Sequence, residues 1–336
     1  MIGNVRRIFI MLGSLCNLSC TYCIQGRLKL DNLPKDISPN IYPFLREKAE
    51  LSKEKLNIMF YGGEPLLYLD KIKEIVDELS DCNVKFSMVT NGKLLDDATA
   101  DYLNAHDFDV GVSYDGRLSV KNRGYDVSKN KSLLKLKHLC ITGVYTGDCK
   151  LSELLADFQN IDDEYFCRNG WHIGVNIDTL MPSEKLELDF MGIAQDVAEM
   201  LSSDELSYVH KKYFHRLFKQ LGGRKFSGNI SSCGNGIGIV NIDLQGNLYS
   251  CHNVRNSIGN TADLDRTKYL STLVAESNNL KCYDTCKRCF VRDICRGGCK
   301  LIPKEQRELG YCELKKSIYS PVVDFYNQIV LKKEVK

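Results

Sequence analysis

The sequence predicts an α/β fold: an open, partial (β/α)6 TIM-like barrel over residues 1–222, then a small cysteine-rich domain over residues 223–336. Three observations predict it. Strand-length apolar runs alternate with amphipathic stretches through the first two thirds of the chain, the pattern of parallel strands joined by crossover helices. The noteworthy Cys, Gly and Asn motifs each follow a strand end, the rim on which parallel barrels gather their chemistry. Eight of the 15 cysteines lie beyond residue 230, which sets the last third apart.

The elements follow in order. Ile8–Leu12 is an unbroken apolar run, read as the first strand. An amphipathic stretch at Ile41–Leu51 leads to a second strand at Leu56–Tyr61. The helix Leu69–Leu79 then precedes a third strand at Val84–Thr90, and Asp96–Ala105 precedes a fourth at Asp109–Tyr114. A weak helical stretch near Leu133 leads to a fifth strand at His138–Val144, and Leu151–Phe158 to a sixth at His172–Ile177. Helical pattern returns at Asp189–Leu201 and Leu206–Leu221. The strand runs are nearly continuous in apolar residues, as expected when helices cover both sheet faces. Turn signals punctuate the series at Pro34, Pro39, Gly62-Gly63, Asn91-Gly92 and Asp115-Gly116.

A chain of 336 residues with 43% hydrophobic content can bury a large core, and one large domain plus a small one is expected. A net charge of +2 gives no global pull toward nucleic acid or an anionic membrane, so neither is expected as a partner. Arg6-Arg7 and Lys211-Lys212 read as solvated faces. The chain starts without a signal-peptide pattern and no stretch approaches 18 apolar residues, which predicts a cytoplasmic protein. That compartment keeps thiols reduced, so clustered cysteines are better explained by metal ligation than by disulfides. Cys82, Cys140, Cys149 and Cys167 stand singly and read as small buried hydrophobes.

The run Cys16-Asn-Leu-Ser-Cys20-Thr-Tyr-Cys23 carries the chemistry. Three thiolates on one short loop can hold three irons of a four-iron cluster. No fourth cysteine follows in the loop, which leaves one iron open for a small ligand. A zinc loop is the alternative, but zinc wants a fourth protein ligand and usually pairs two C-x2-C hooks. After the second strand comes Gly62-Gly63-Glu64-Pro65. Glycines there let the backbone approach a ligand, and the carboxylate or backbone carbonyls can accept from an ammonium group.

The C-x3-C-x2-C loop resembles that of radical S-adenosylmethionine (SAM) enzymes. The resemblance implies a 4Fe-4S cluster on Cys16, Cys20 and Cys23, with SAM bound at the open iron and split into methionine and a 5′-deoxyadenosyl radical. It implies that Gly62, Gly63, Glu64 and Pro65 hold the methionine amino group. Tyr22 would pack near the adenine, and Asn91, Ser113 and Arg123 would surround the SAM ribose or carboxylate. Asp115 reads as the start of a tight Asp-Gly turn.

The order Cys233, Cys251, Cys286, Cys289, Cys295, Cys299 and Cys312, with Gly246 between the first two, resembles the SPASM domain that follows many radical SAM barrels. It implies two auxiliary Fe-S clusters. Cys286, Cys289, Cys295 and Cys312 would close one; Cys233, Cys251 and Cys299 would hold three irons of the other. Several relatives carry an eighth cysteine soon after the first, absent here from residues 234–241; either that cluster has an open iron or Cys282 supplies the fourth thiolate. Lys281, Lys287, Arg288, Arg292, Arg296 and Lys300 supply cations near this segment.

SPASM-bearing relatives mostly modify peptides or proteins, which implies a peptide maturase that forms a crosslink or oxidises a side chain. An electron donor such as flavodoxin or ferredoxin is implied. The first strand begins near Ile8 with no room for a leader-binding domain, so a separate leader-binding protein or the barrel surface would serve. Anaerobic sulfatase maturases have an Asp base after the cysteine equivalent to Cys251. Here His252 stands there, which lowers that reading and makes His252 the candidate catalytic base. A small-molecule radical SAM enzyme and a non-catalytic zinc-binding protein complete the alternatives.

Overall fold

The computed structural model describes residues 5–27, 36–180, 187–222, 238–277, 284–299 and 301–334. Its strands are β1 (Arg7–Met11), β2 (Leu56–Tyr61), β3 (Val84–Thr90), β4 (Asp109–Ser113), β5 (His138–Tyr145), β6 (Gly174–Thr179), β7 (Ile239–Asp243), β8 (Asn247–Tyr249) and β9 (Gly259–Asn260). The six expected strands are all present, within two residues of their predicted ends. The chain divides into two compact units. The first comprises Met1–Ser113, Arg123–Cys140 and Cys233–Ser277; the second comprises Tyr114–Asn122, Ile141–Ser232 and Asn278–Lys336.

In the first unit the sheet runs β4-β3-β2-β1-β7-β8-β9. β1 through β4 pair in parallel, β7 lies parallel to the free edge of β1, and β8 and β9 add antiparallel. The register places Ile8, Ile10, Ile58, Phe60, Val112 and Ile242 on one face, all fully buried. At about 1.5–3 kcal/mol per large apolar side chain, this face supplies the unit's core. The other face differs from the sequence expectation. β2 alternates buried and half-buried residues along its whole length, so Asn57, Met59 and Tyr61 share a partly open, mixed face. There Asn57 Oδ1 accepts from Arg7 Nε and Ser87 Oγ, each at 2.9 Å. The helices Ile41–Glu50, Leu69–Glu78 and Asp97–Ala105 match their predicted positions. Asp96 caps the last by accepting from Thr99 N at 2.8 Å.

The second unit holds most of β5, β6 and the helices Leu151–Asn169, Phe190–Ser202, Tyr208–Gly222 and Cys312–Glu334. The helix expected to stop at Phe158 continues to Asn169 and closes at Gly170, whose φ of 76° suits glycine. Its buried Asp162 accepts from Ile173 N at 2.8 Å and lies 2.7 Å from His172 Nδ1, tying the helix to the start of β6. Cys312–Glu334 packs along Phe190–Ser202. No described helix is long and apolar enough to cross a membrane.

Candidate radical-cluster site

The loop between β1 and the short helix Ile24–Arg27 carries Cys16, Cys20 and Cys23, with Cys16 exposed and the other two half-buried. Backbone N–H groups already face the sulfurs. Leu18 N lies 3.5 Å from Cys16 Sγ, and Gly26 N lies 3.4 Å from Cys23 Sγ. Burial pushes the Cys16 thiol up; the Leu18 N–H and the Asn91 amide oppose this, while Glu64 and Cys23 add to it. Among the described residues no three His, Cys, Asp or Glu side chains converge as ligands of a single ion would.

Gly62-Gly63-Glu64-Pro65 is built against this loop. Gly63 N donates to Gly13 O at 3.0 Å and Glu64 N to Leu15 O at 2.8 Å. A Cβ on Gly62 would sit 2.6 Å from Gly13 O, and one on Gly63 would sit 2.1 Å from Leu15 O. Both glycines have ordinary negative φ. Glycine is therefore required here because two backbones touch, a constraint beyond the expected approach to a ligand. Glu64 is buried and its carboxylate is spoken for. It accepts from Leu66 N at 3.0 Å, Thr90 Oγ1 at 2.6 Å and Asn91 N at 2.7 Å, pinning the β3 rim to the β2 rim. Burial still pushes its pKa up against those three bonds. Pro65 opens a 3-10 turn capped by the same carboxylate. The Gly62 carbonyl accepts from Gln25 Nε2 at 3.2 Å.

Tyr22, expected near the adenine, and Arg123, expected around the SAM ribose or carboxylate, are brought together: the Arg123 guanidinium lies 5.4 Å from the Tyr22 ring centroid and both side chains are buried. Asn91 is committed to the cysteine loop. Its Nδ2 donates to Asn17 Oδ1 at 2.7 Å and lies 3.9 Å from Cys16 Sγ, while its Oδ1 accepts from Lys93 N. Ser113 ends β4 and is half-buried.

Beyond β8, Cys251 is buried and Asn253 Oδ1 accepts from the same Gln25 Nε2 at 3.3 Å. His252 packs between Phe9, stacked at 4.6 Å, and Tyr61, edge-on at 4.3 Å. Burial, with Arg255 adding, pushes its pKa down to about 4.

The sequence model of the Radical SAM superfamily matches residues 10–119. A probable GTP 3′,8-cyclase of Methanothermobacter marburgensis is 36% identical over 219 residues, 59% of this chain and 69% of that protein. The chain belongs to the radical SAM superfamily. The cysteine-type anaerobic sulfatase-maturating enzyme of Clostridium perfringens is 26% identical over 354 residues, covering 90% of this chain and 92% of that enzyme. The radical SAM cyclopropyl synthase TigE of Paramaledivibacter caminithermalis is 23% identical over 96% of this chain and 74% of its own length. The solved structure of native anSMEcpe with bound AdoMet and Cp18Cys peptide superposes with a TM-score of 0.67 at 20% identity, over 96% of this chain and 99% of that one. The fold is thus the partial barrel of this superfamily.

A radical SAM site needs a 4Fe-4S cluster and AdoMet, and the residues present fit both. Three sulfurs sit on one accessible loop with N–H donors already aimed at two of them. Asn17 Nδ2, next to Cys16, is buried without a hydrogen-bond partner. Asn17, Gln25 and Asn253 had no signal in the sequence: amides carry no charge and no spacing rule marks them.

Cys286, Cys289, Cys295, Cys299 and Cys312 lie in the second unit, half-buried; of the cysteines read as small buried hydrophobes, Cys82, Cys140 and Cys149 are half-buried and Cys167 is exposed. Cys286, Cys289, Cys295 and Cys312 are near enough to act on one another. After burial, Cys286 and Cys289 push Cys295 up, and Cys295 and Cys286 push Cys312 up. The opposing cations are Lys315 at Cys295, and Arg307 and Lys316 at Cys312. Arg307 is buried and donates to Gly297 O at 2.6 Å, Ile302 O at 3.1 Å and Cys299 O. Cys233 and Cys282, with Lys281 and Lys300, lie outside the described residues.

Proposed function

We propose that this radical SAM enzyme modifies a peptide or protein substrate. One observation carries the reading. The likeness to the sulfatase-maturating enzyme runs through 90% of the chain and 92% of that enzyme, and so through most of the cysteine-rich third, whereas GTP 3′,8-cyclases match over 59% and 78% of the chain. The solved relative with a Cp18Cys peptide supports the same substrate class. His252 replaces the Asp of the sulfatase maturases, which favours a different peptide modification over formylglycine formation.

In this reading Cys16, Cys20 and Cys23 hold the radical cluster, and the Gly62 carbonyl faces the methionine end of AdoMet. When bound, that pair supplies a carbon radical able to take one hydrogen atom from a substrate C–H. The protein's part is placement. Gln25 bridges the Gly62 carbonyl to Asn253, Asn91 steadies the cysteine loop, and Tyr22 and Arg123 brace one another. Residues 223–336 form the auxiliary-cluster segment. Cys286, Cys289, Cys295 and Cys312 hold one cluster; Cys233, Cys251 and Cys299 hold the other, with Cys282 as the optional fourth ligand. His252 forms a wall beside Phe9 and Tyr61. A flavodoxin or ferredoxin supplies electrons. Co-expression with small peptides encoded beside the gene, followed by mass spectrometry, tests the reading. A mass change on one peptide is expected. Unchanged masses under active AdoMet cleavage, or turnover of a small molecule without any peptide, would overturn it.

A further inference from the structure

The loop after Cys251 carries a guanidinium that the radical site does not use. Arg255 is half-buried, and its position is fixed through one nitrogen. Nη1 donates to Val254 O at 3.0 Å and His252 O at 3.3 Å, and lies 3.8 Å from Met11 Sδ at the end of β1. Nε is closed off from solvent and has no hydrogen-bond partner. Nη2 makes no hydrogen bond to any described residue. Nη2 is left without a partner among the described residues, and a carboxylate there would accept a charge-assisted hydrogen bond.

No described carboxylate lies within ion-pair distance of Arg255. Asp243 is the obvious candidate, on the strand next to β1. Its two oxygens instead accept from Gln245 N, Asn247 N, Asn247 Nδ2 and Tyr249 Oη, all at 2.8–2.9 Å. A guanidinium partly withdrawn from water with no carboxylate at ion-pair distance among the described residues is costly, and the cost is recovered when an anion binds.

Its neighbours say where that anion would lie. His252 and Asn253, three and two residues earlier, touch Tyr61 and, through Gln25, the Gly62 carbonyl. The Nη1 contact to Met11 places the guanidinium at the end of the strand that leads into the cysteine loop. This is the edge of the radical site, beside the half-open sheet face.

We propose that Arg255 anchors a carboxylate of the substrate, either an acidic side chain or the C-terminal carboxylate of a peptide. The proposal rests on the peptide reading above and adds a charge requirement to it. Arg255 positions the substrate and takes no part in hydrogen abstraction.

The test uses the reconstituted, AdoMet-loaded enzyme and four randomised hexapeptide pools. The pools carry a fixed central Glu or Gln, each with a free or an amidated C-terminus. Binding is measured by anaerobic equilibrium dialysis. The expected result is a preference of about tenfold to a hundredfold for one carboxylate-bearing form over its amide counterpart, from loss of a charged hydrogen bond. The Glu/Gln comparison and the acid/amide comparison tell the two sources apart. The preference disappears in Arg255→Gln and is partly kept in Arg255→Lys, which retains charge without the fork. Iron content and thermal unfolding confirm that both variants are folded.

Equal binding of acidic and amide pools would overturn the proposal while leaving the peptide reading standing. Binding of no pool would overturn both. An unchanged pool preference in Arg255→Gln, with weakened AdoMet binding or a shifted auxiliary-cluster potential, would assign the guanidinium to AdoMet or to the cluster instead and overturn the proposal.

Discussion

Glu64 decides between two views of the Gly62-Gly63-Glu64-Pro65 motif. If its carboxylate held AdoMet directly, Glu64→Ala would weaken AdoMet binding and leave the protein unchanged. The geometry predicts otherwise. The substitution strands Leu66 N, Asn91 N and Thr90 Oγ1 in a buried place. Each orphaned donor costs about 1–3 kcal/mol, so the local loss is about 3 kcal/mol at the low end, even if water enters the vacated space. Since about 1.4 kcal/mol is a factor of ten, backbone amides of the β2 and β3 rims would exchange on the order of a hundredfold faster. Glu64→Gln loses less, because one amide oxygen still accepts while the NH2 faces Asn91 N. Peptide-resolved hydrogen exchange under anaerobic conditions measures this over residues 61–66 and 88–92. Unchanged protection in both segments, together with lost AdoMet binding, would refute the reasoning.

Other consequences can be checked in parallel. Gly63→Ala drives a Cβ to 2.1 Å from Leu15 O, so iron content falls by one cluster's worth and 5′-deoxyadenosine release drops at least tenfold; full iron loading would contradict the backbone-contact account. Arg307→Met removes three donors from the Gly297–Ile302 backbone, and auxiliary-cluster iron is lost while Arg307→Lys keeps part of it, read by iron and sulfide counts with Mössbauer spectra. His210 is held below its ordinary 6.5 chiefly by burial, so the unfolded chain binds the extra proton more readily. Its stabilising contribution is complete above pH 6.5 and is lost as pH falls through the depressed folded value. His210→Gln flattens the unfolding profile in that window, and an unchanged slope would argue against a buried neutral ring.

Much of this architecture was legible before any coordinates. The six apolar strand runs and their helices were marked by period and by turn residues, because burying one continuous face dictates both. The three loop cysteines and the Gly-Gly-Glu-Pro run stood out because their spacing is rare. What escaped is instructive in kind. β7 is five residues and β8 three, too short for a periodic signal, yet β7 extends the parallel sheet beside β1. The Cys312–Glu334 helix was masked by Pro321 and by the cysteines around it. The mixed face of β2 reads as apolar in sequence because Met59 and Tyr61 are half-exposed hydrophobics. Gln25, Asn253 and Arg307 gain their roles from neighbours distant in the chain, which no local pattern carries. Glu64 stands out by its motif, while its three donors come from two different strand ends, which no local pattern carries.

The account turns on whether the Cys16, Cys20 and Cys23 sulfurs are where AdoMet cleavage begins. The direct measurement is 5′-deoxyadenosine release by the anaerobically reconstituted enzyme in which all three are replaced by serine, beside an iron count. Release at background, with about four of roughly twelve irons missing, is the predicted result. Release at the level of the unaltered enzyme would contradict it.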